Sequence, residues 1–437
     1  MKLSGVIFIL LYTIILTSPV LADNYTVREI SLEEALFIID SQSPEIISAR
    51  MDADNAKEDI RIAGRIPNPV ITSVYGFGSI YSQLANPQEV SFNQLIEIGK
   101  RSSRIKLAKA NYNIVQTKIR SSIMDIHTDI RAAYIDLYFA KHKLAILKKQ
   151  KILYDMLLCS IKGNKTSDKR VNEDIRSIEL TIDRLSLEID RANVRYHEQR
   201  ELFNEYLNSL NRGNVIFDVP DFNSDNKIQY FNNYFPLYSE PLPDIEELIM
   251  LAFKYRGDIL TAKSQFEAAK KTLDLAKGLR IPDLQFGTGY LYSTLPGEVL
   301  PVKTFYQGFY LQGGLTVPLF HNQGAEINKA KIALDQAKLA IEAAKGKGSK
   351  AVRESYYKLK NSQDKLKSLN ESLLDNKIEE IDNKLKLYSK NKEKITQLLE
   401  SRNSLQKQYD EFMESIYGYF ISWNNILNEI GLDGFNL

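Results

Sequence analysis

Apolar residues recur at helical spacing over most of this chain and switch to strict alternation in only two places. In the first, Val90, Phe92, Ile96 and Ile98 alternate with Ser91, Asn93 and Glu97, after a β-branched and aromatic run from Val70 to Tyr81 and a turn-like link from Gln83 to Gln88. Period two, with one apolar and one polar face, is the pattern of a strand, so Pro69 to Ile98 predicts an antiparallel pair. In the second, Leu284, Phe286, Tyr290 and Tyr292 alternate with Gln285, Gly287 and Gly289. Phe305, Phe309, Leu311, Leu315 and Val317 then alternate with Tyr306, Gly308, Gln312, Gly314 and Thr316. A loop containing Pro296-Gly297 and Pro301 joins these runs into a second pair across Asp283 to Pro318.

Around the two pairs the pattern is that of long helices. Ser31-Leu-Glu-Glu34 is a capping box, and Ala35, Leu36, Ile39, Ile46, Ile47 and Ala56 follow at helical spacing, with a bend or break expected at Ser43-Pro44. From Arg101 to about Cys159, a stripe from Ile105 through Ile119 and on to Leu147 marks a helix roughly 90 Å long. Lys162 to Asp168 is a polar turn. The returning helix carries Val171, Ile175, Ile178, Ile182, Leu185, Ile189, Ala192, Tyr196, Phe203, Tyr206 and Leu210, so the two predict an antiparallel coiled-coil hairpin. Asn211 to Pro243, rich in Asn, Asp, Tyr, Phe and Pro, is an irregular crossover expected to pack through its aromatics.

The plan then recurs. Asp244-Ile-Glu-Glu matches Ser31-Leu-Glu-Glu, Gly257-Asp-Ile matches Pro44-Glu-Ile, and Pro282 matches Pro69, all at one offset of about 213 residues. A second hairpin follows, with Ile327 to Ala344 and Val352 to Leu373 on one helix, a turn near Ser389 to Lys394, and Ile395, Leu398, Leu405, Tyr409, Phe412 and later residues on the last helix. Arg402 alone interrupts that final seam. Gly346 and Gly348 sit inside the third long helix, where each costs about 1 kcal/mol against Ala, so a kink or a close contact is expected there.

The fold class is therefore mainly α with a small β part: long antiparallel coiled-coil helices, four strands and an internal two-fold repeat. The expected organisation is a signal peptide over 1–22, a first repeat over 23–210 with strand pair 69–98 and hairpin 101–210, and a crossover over 211–243. A second repeat over 244–437 has strand pair 283–318 and hairpin 322–430. The signal peptide rests on Lys2, the apolar core Val6 to Leu16 and the small cleavage-site residues around Ala22.

Composition narrows the chemistry. The net charge of +2 conceals 57 basic and 55 acidic residues, and no basic patch with interleaved aromatics points to nucleic acid. Cys159 is the only cysteine, so no intrachain disulfide exists. His127, His142, His197 and His321 form no metal-binding spacing, and Gly346-Lys-Gly-Ser349 lacks the pattern of a phosphate loop. The expectation is a protein that is not an enzyme, without catalytic residues, cofactor or resident metal.

No segment after the signal peptide is apolar enough for a transmembrane helix, so any membrane crossing must use strands. Strands of ~10 residues reach across a bilayer when tilted, but four cannot close a barrel and open edges are not tolerated in lipid. Several chains would have to share one barrel.

Ser31-Leu-Glu-Glu-Ala-Leu with Ser43-Pro-Glu-Ile46, Ile96-Glu-Ile-Gly-Lys-Arg101 with Arg104, and Val317-Pro-Leu-Phe-His-Asn-Gln-Gly324 resemble the outer membrane factor (TolC-like) family. The second and third stretches are most similar to its cation-efflux, CzcC-like branch. The resemblance spans nearly all of the chain after the signal peptide. It implies a homotrimer with a shared twelve-stranded β-barrel in outer-membrane lipid and a helical tunnel in the periplasm of a Gram-negative-type bacterium. It also implies a periplasmic adaptor (membrane fusion) protein and an inner-membrane transporter as partners. The function implied is the exit duct of a tripartite efflux pump, for metal cations or small toxic solutes. The alternatives are a duct for type I protein secretion and a secreted soluble coiled-coil scaffold.

In that family the periplasmic gate lies on the inner helix after the second helical tip, and Tyr388 to Glu400 is similar to that segment. Gln397 and Glu400 match the gate carboxylate positions, with one of the two usual carboxylates absent, and Tyr388 joins them as a gate candidate. Gly163, Asn164, Ser389 and Asn391, in the two turns, are the candidate adaptor contacts.

Overall fold

The computed structural model describes residues 26–76, 88–163, 169–207, 215–221, 235–236, 238–295, 304–315, 322–368, 371–386 and 395–434. The expected signal peptide lies outside them. In chain order the elements are β1 (Thr26–Glu29), α1 (Leu32–Gln42), α2 (Pro44–Ala63), β2 (Val70–Tyr75), β3 (Gln88–Ile96), α3 (Lys100–Gly163), α4 (Lys169–Leu207) and β4 (Val215–Asp218). There follow α5 (Ile245–Tyr255), α6 (Gly257–Gly278), β5 (Leu284–Leu295), β6 (Thr304–Leu315), α7 (Gly324–Ser368), α8 (Glu371–Lys386) and α9 (Ile395–Ile430).

Local chemistry sets the boundaries. Ser31 caps α1 by accepting from the Glu34 N–H at 3.1 Å, while the Glu34 carboxylate pairs with Arg28. Pro44 opens α2, so the chain breaks where the proline was expected to break it, and Asp244 caps α5 in the same manner as Ser31 caps α1. The chain divides into two compact units, Met1–Pro44, Ile130–Phe231 and Glu371–Asp410 in one, Glu45–Asp129, Asn232–Asn370 and Glu411–Leu437 in the other.

In the first unit, Leu147, Leu153, Tyr154, Leu157 and Ile161 of α3 pack with Ile178 and Leu185 of α4, Leu385 of α8, and Leu398 and Leu399 of α9. The hairpin seams depart from expectation on α4 and on α9. Leu207 is buried where Tyr206 was expected and Tyr206 is exposed; on α9 Gln406 is buried and Leu405 only half-buried. Sequence reading missed a short parallel ribbon, in which β1 pairs with β4 from Thr26↔Val215 to Glu29↔Asp218. Asn204 serves as a surrogate strand edge: its Nδ2 donates to the Phe217 carbonyl at 2.8 Å and its Oδ1 accepts from the Phe217 N–H at 2.7 Å. Lys141 then fastens the ribbon to α3, donating to the Val219 carbonyl at 2.6 Å and pairing with Glu29, Asp218 and Asp221. These carboxylates hold its ammonium protonated well above the ordinary lysine range despite its burial.

The second unit holds a four-stranded antiparallel sheet in the order β2-β3-β5-β6. Leu273 and Ala276 of α6 pack on Ile327 and Ala330 of α7. The crossover, expected to be irregular, contains β4, and farther along it is seated through an aromatic: the Phe235 ring lies 5.6 Å from Phe420, and Tyr419 donates to the Pro236 carbonyl at 3.0 Å. Of the two helical glycines, Gly348 makes the expected close contact. A Cβ there would lie 3.2 Å from both Arg256 and Ile259, whereas Gly346 has open space around it.

Candidate functional site

The sheet has two chemically distinct faces. In register, Ser73, Val90, Tyr290 and Phe309 form one row, and Ile71, Phe92, Thr288 and Leu311 the next. Leu284 and Leu315 extend the same face, which is apolar and open: Phe309 is 85% exposed and Leu311 75%. The opposite face presents Ser91, Asn93, Gln285, Tyr310 and Gln312, with Gly287 and Gly289 between them. Gln312 donates to Asn93 across Gly287, where a Cβ would approach the Gln312 side chain to 2.8 Å. Thus the alternation read from sequence separates an exposed apolar face from a hydrogen-bonded polar one. Strands β2 and β6 are the sheet's edges and, among the described residues, neither has a second strand partner.

The Ile96 to Arg101 motif acts at the junction between sheet and helix. Gly99 takes φ +73°, a left-handed turn that glycine adopts without strain, and so lets β3 swing into α3. Directly after it, Lys100 pairs with Asp283 at 2.7 Å, tying the start of α3 to the start of β5. Arg104 pairs with Glu97 and donates to the Arg65 carbonyl at 3.2 Å, while Arg101 donates to the Gly64 carbonyl at 2.5 Å. The motif's charges therefore bracket the places where the chain enters and leaves the sheet. Asp283 was read from sequence only as a strand boundary, and nothing local marks it as the partner of Lys100.

Of the gate candidates, Gln397 and Glu400 lie in the first unit. Gln397 and Glu400 are exposed on the first turns of α9, while Leu398 and Leu399 between them are buried in the helical core. Gly163 is the last residue of α3. Tyr388, Ser389, Asn391 and Asn164 lie outside the described residues. Just beyond Glu400 runs a polar ladder. Arg402 donates to Asp382 at 2.7 Å and to Gln406 at 2.8 Å, Gln406 donates to Asp410 at 3.0 Å, and Asp410 pairs with Lys143 at 2.5 Å. Ile146, Leu153, Met156, Ile378 and Tyr409 join Arg402 around a cleft of about 340 Å³. Arg402 stood out in the sequence as a break in the seam; its partner on α8, Asp382, did not.

Among the described residues no cluster of His, Cys, Asp and Glu suits a metal ion, and no helix is long and apolar enough to cross a membrane. His127 Nδ1 lies 2.7 Å from Asp433, His142 is buried, His197 contacts Arg200, and His321 is outside the described residues.

No family model matches the chain, and no curated protein matches it. Solved structures do. A membrane protein from Pseudomonas aeruginosa aligns over 95% of this chain and 94% of its own, at 15% identity and a TM-score of 0.67. CusC, a protein that forms a transmembrane channel, aligns over 92% of both chains at 13% identity and a TM-score of 0.65. The open state of the Neisseria gonorrhoeae MtrE outer membrane channel aligns over 92% of this chain and 89% of its own, at 13% identity and a TM-score of 0.63. The chain shares the fold of these membrane proteins.

Proposed function

We propose that this chain is the outer-membrane channel of an efflux pump of the outer membrane factor (TolC-like) type, a passive duct across periplasm and outer membrane. The observation that carries the reading is the β2-β3-β5-β6 sheet, with an exposed apolar face, a polar face and two edges that are unpaired among the described residues. Lipid tolerates an apolar face but not an open edge, and membrane barrels have at least eight strands. Copies of the chain that pair edge to edge satisfy both conditions. The resemblance sets the number at three, and the fold shared with outer membrane channels supports the same architecture. The recurrence of α1-α2-β2-β3 as α5-α6-β5-β6 supports an origin in two copies of one module.

In this reading the helices extend into the periplasm, and the turns at Gly163-Asn164 and Ser389-Asn391 meet a periplasmic adaptor coupled to an inner-membrane transporter. Glu400, with Gln397 and Tyr388 nearby, lines the constriction. The cargo is metal cations or small toxic solutes, as in the CzcC-like branch that the Ile96 to Arg101 motif resembles. The test is fractionation followed by planar-bilayer recording. Heat-modifiable trimers from the outer-membrane fraction should form channels, and Glu400→Lys should cut their cation conductance by removing a ring of carboxylates. A monomer soluble without detergent would overturn the duct, and unchanged conductance in Glu400→Lys would remove that residue from the gate.

A further inference from the structure

Formal charge is scarce on the sheet. Among the described residues of its four strands, Glu89 is the only charged one. It lies on the polar face, in register with Val74 on β2 and Leu291 on β5, at the end of the sheet away from the α3 junction. At the junction end the carboxylates are neutralised, Asp283 by Lys100 and Glu97 by Arg104. Glu89 has no cationic partner among the described residues.

A neutral donor holds it instead. The Tyr310 hydroxyl donates to the Glu89 carboxylate. Tyr310 is on β6, and to reach β3 its side chain must cross β5. It does so over Gly289, its register partner, where a Cβ would stand 2.6 Å from the tyrosine ring. A glycine on β5, a tyrosine on β6 and a glutamate on β3 thus fix one unneutralised carboxylate on an otherwise uncharged face, where hydroxyls, amides and glycines stand beside Val74 and Leu291. A tyrosine hydroxyl orients a carboxylate without cancelling its charge.

We propose that Glu89 gives the pore a second site of charge preference, on the barrel wall and apart from the Glu400 constriction. Each copy contributes one carboxylate to a ring near the end of the barrel remote from the helices, and the ring favours cations and disfavours anions. This rests on the duct reading, in which the polar face lines a shared lumen. Rings of acidic side chains select cations in channels of other architectures. Because the wall is wet, the preference is screened by salt, over a Debye length of about 10 Å at 0.1 M and about 3 Å at 1 M.

The experiment is the potassium-to-chloride permeability ratio, read from reversal potentials across planar bilayers holding the purified full chain. Glu89→Gln keeps the side chain's size and its acceptor for Tyr310, so channels should persist, with the ratio falling at least about twofold at low salt. Glu89→Lys should carry it toward chloride, and Glu89→Asp should keep the wild-type preference. The difference between wild type and Glu89→Gln should fade at 1 M salt. Channels whose ratio is unchanged in both Glu89→Gln and Glu89→Lys would overturn the assignment and leave the duct standing. Failure of the wild-type chain to form any channel would overturn the duct itself.

Discussion

Removing the partner of Arg402 should cost far more than removing the pair. The Arg402 side chain is 6% exposed, and Asp382, its only carboxylate partner among the described residues, is 24% exposed. A guanidinium so placed has given up most of its hydration, and stripping the partner of a buried ion pair costs about 3–5 kcal/mol. Here the carboxylate is partly solvated and Gln406 still accepts from the guanidinium at 2.8 Å, so we expect about 2–3 kcal/mol for Asp382→Asn. Arg402→Met in the same chain should recover most of it, because an apolar side chain suits a seam already built from Leu385, Leu398 and Leu399. The assay is native-state hydrogen exchange over 395–410, where 2–3 kcal/mol reads as on the order of a hundredfold loss of amide protection. Two results would refute the reasoning: a loss for Asp382→Asn below about 0.5 kcal/mol, typical of a surface substitution, or a double variant no better than the single.

Two further perturbations test other parts of the fold. Burial first, and then the hydrogen bond and charge of Asp218 at 2.7 Å, push the Tyr196 phenol up from its ordinary 10.0 to about 12. The folded chain therefore holds this proton after the unfolded chain has released it; the contribution is complete below pH 10 and lost as pH climbs through 12. Tyr154 and Tyr419 are also raised by burial, so tyrosinate absorbance should show a late-titrating group of residues that loses one member in Tyr196→Phe, and a Tyr196 that titrates at its ordinary value would count against the clamp on Asp218. Along α7, Gly346→Ala should raise the thermal midpoint by the equivalent of up to about 1 kcal/mol, since open space surrounds it. Gly348→Val should lower it by about 1–3 kcal/mol through contact with Arg256 and Ile259, and equal effects at the two sites would contradict the packing.

What could be read from the sequence follows from what periodicity encodes. Alternation separates faces, so the two strand pairs, their apolar and polar sides and the break at Pro44 were all legible before any partner was known. The β1–β4 ribbon was not, because four residues hold too little of a period to register, and its strands lie far apart along the chain. Tyr206 yielding to Leu207, and Leu405 to Gln406, have a different cause. A seam of period 3.5 drifts against a helix of 3.6, and as the drift accumulates the inward position moves by one residue.

The candidate site shows the same division between face and partner. Exposure of Gln397 and Glu400 is what a helix stripe conveys; the proposed ring of Glu400 residues would form only where copies meet, and no single chain encodes that geometry. Glu89 sits one residue upstream of the alternation that began at Val90, and its standing as the lone charge among the described strand residues emerges only when all four strands are aligned. The glycine that lets Tyr310 reach it looks, in sequence, like every other glycine in β5 and β6. Local pattern therefore specifies a wall, whereas the group that gives the wall its charge is specified by residues that three different strands bring together. A single substitution at Gly289 is accordingly expected to disturb Glu89 without touching it. In Gly289→Val the added carbons occupy the space of the Tyr310 ring, so the tyrosine must leave and the carboxylate loses its anchor while keeping its charge.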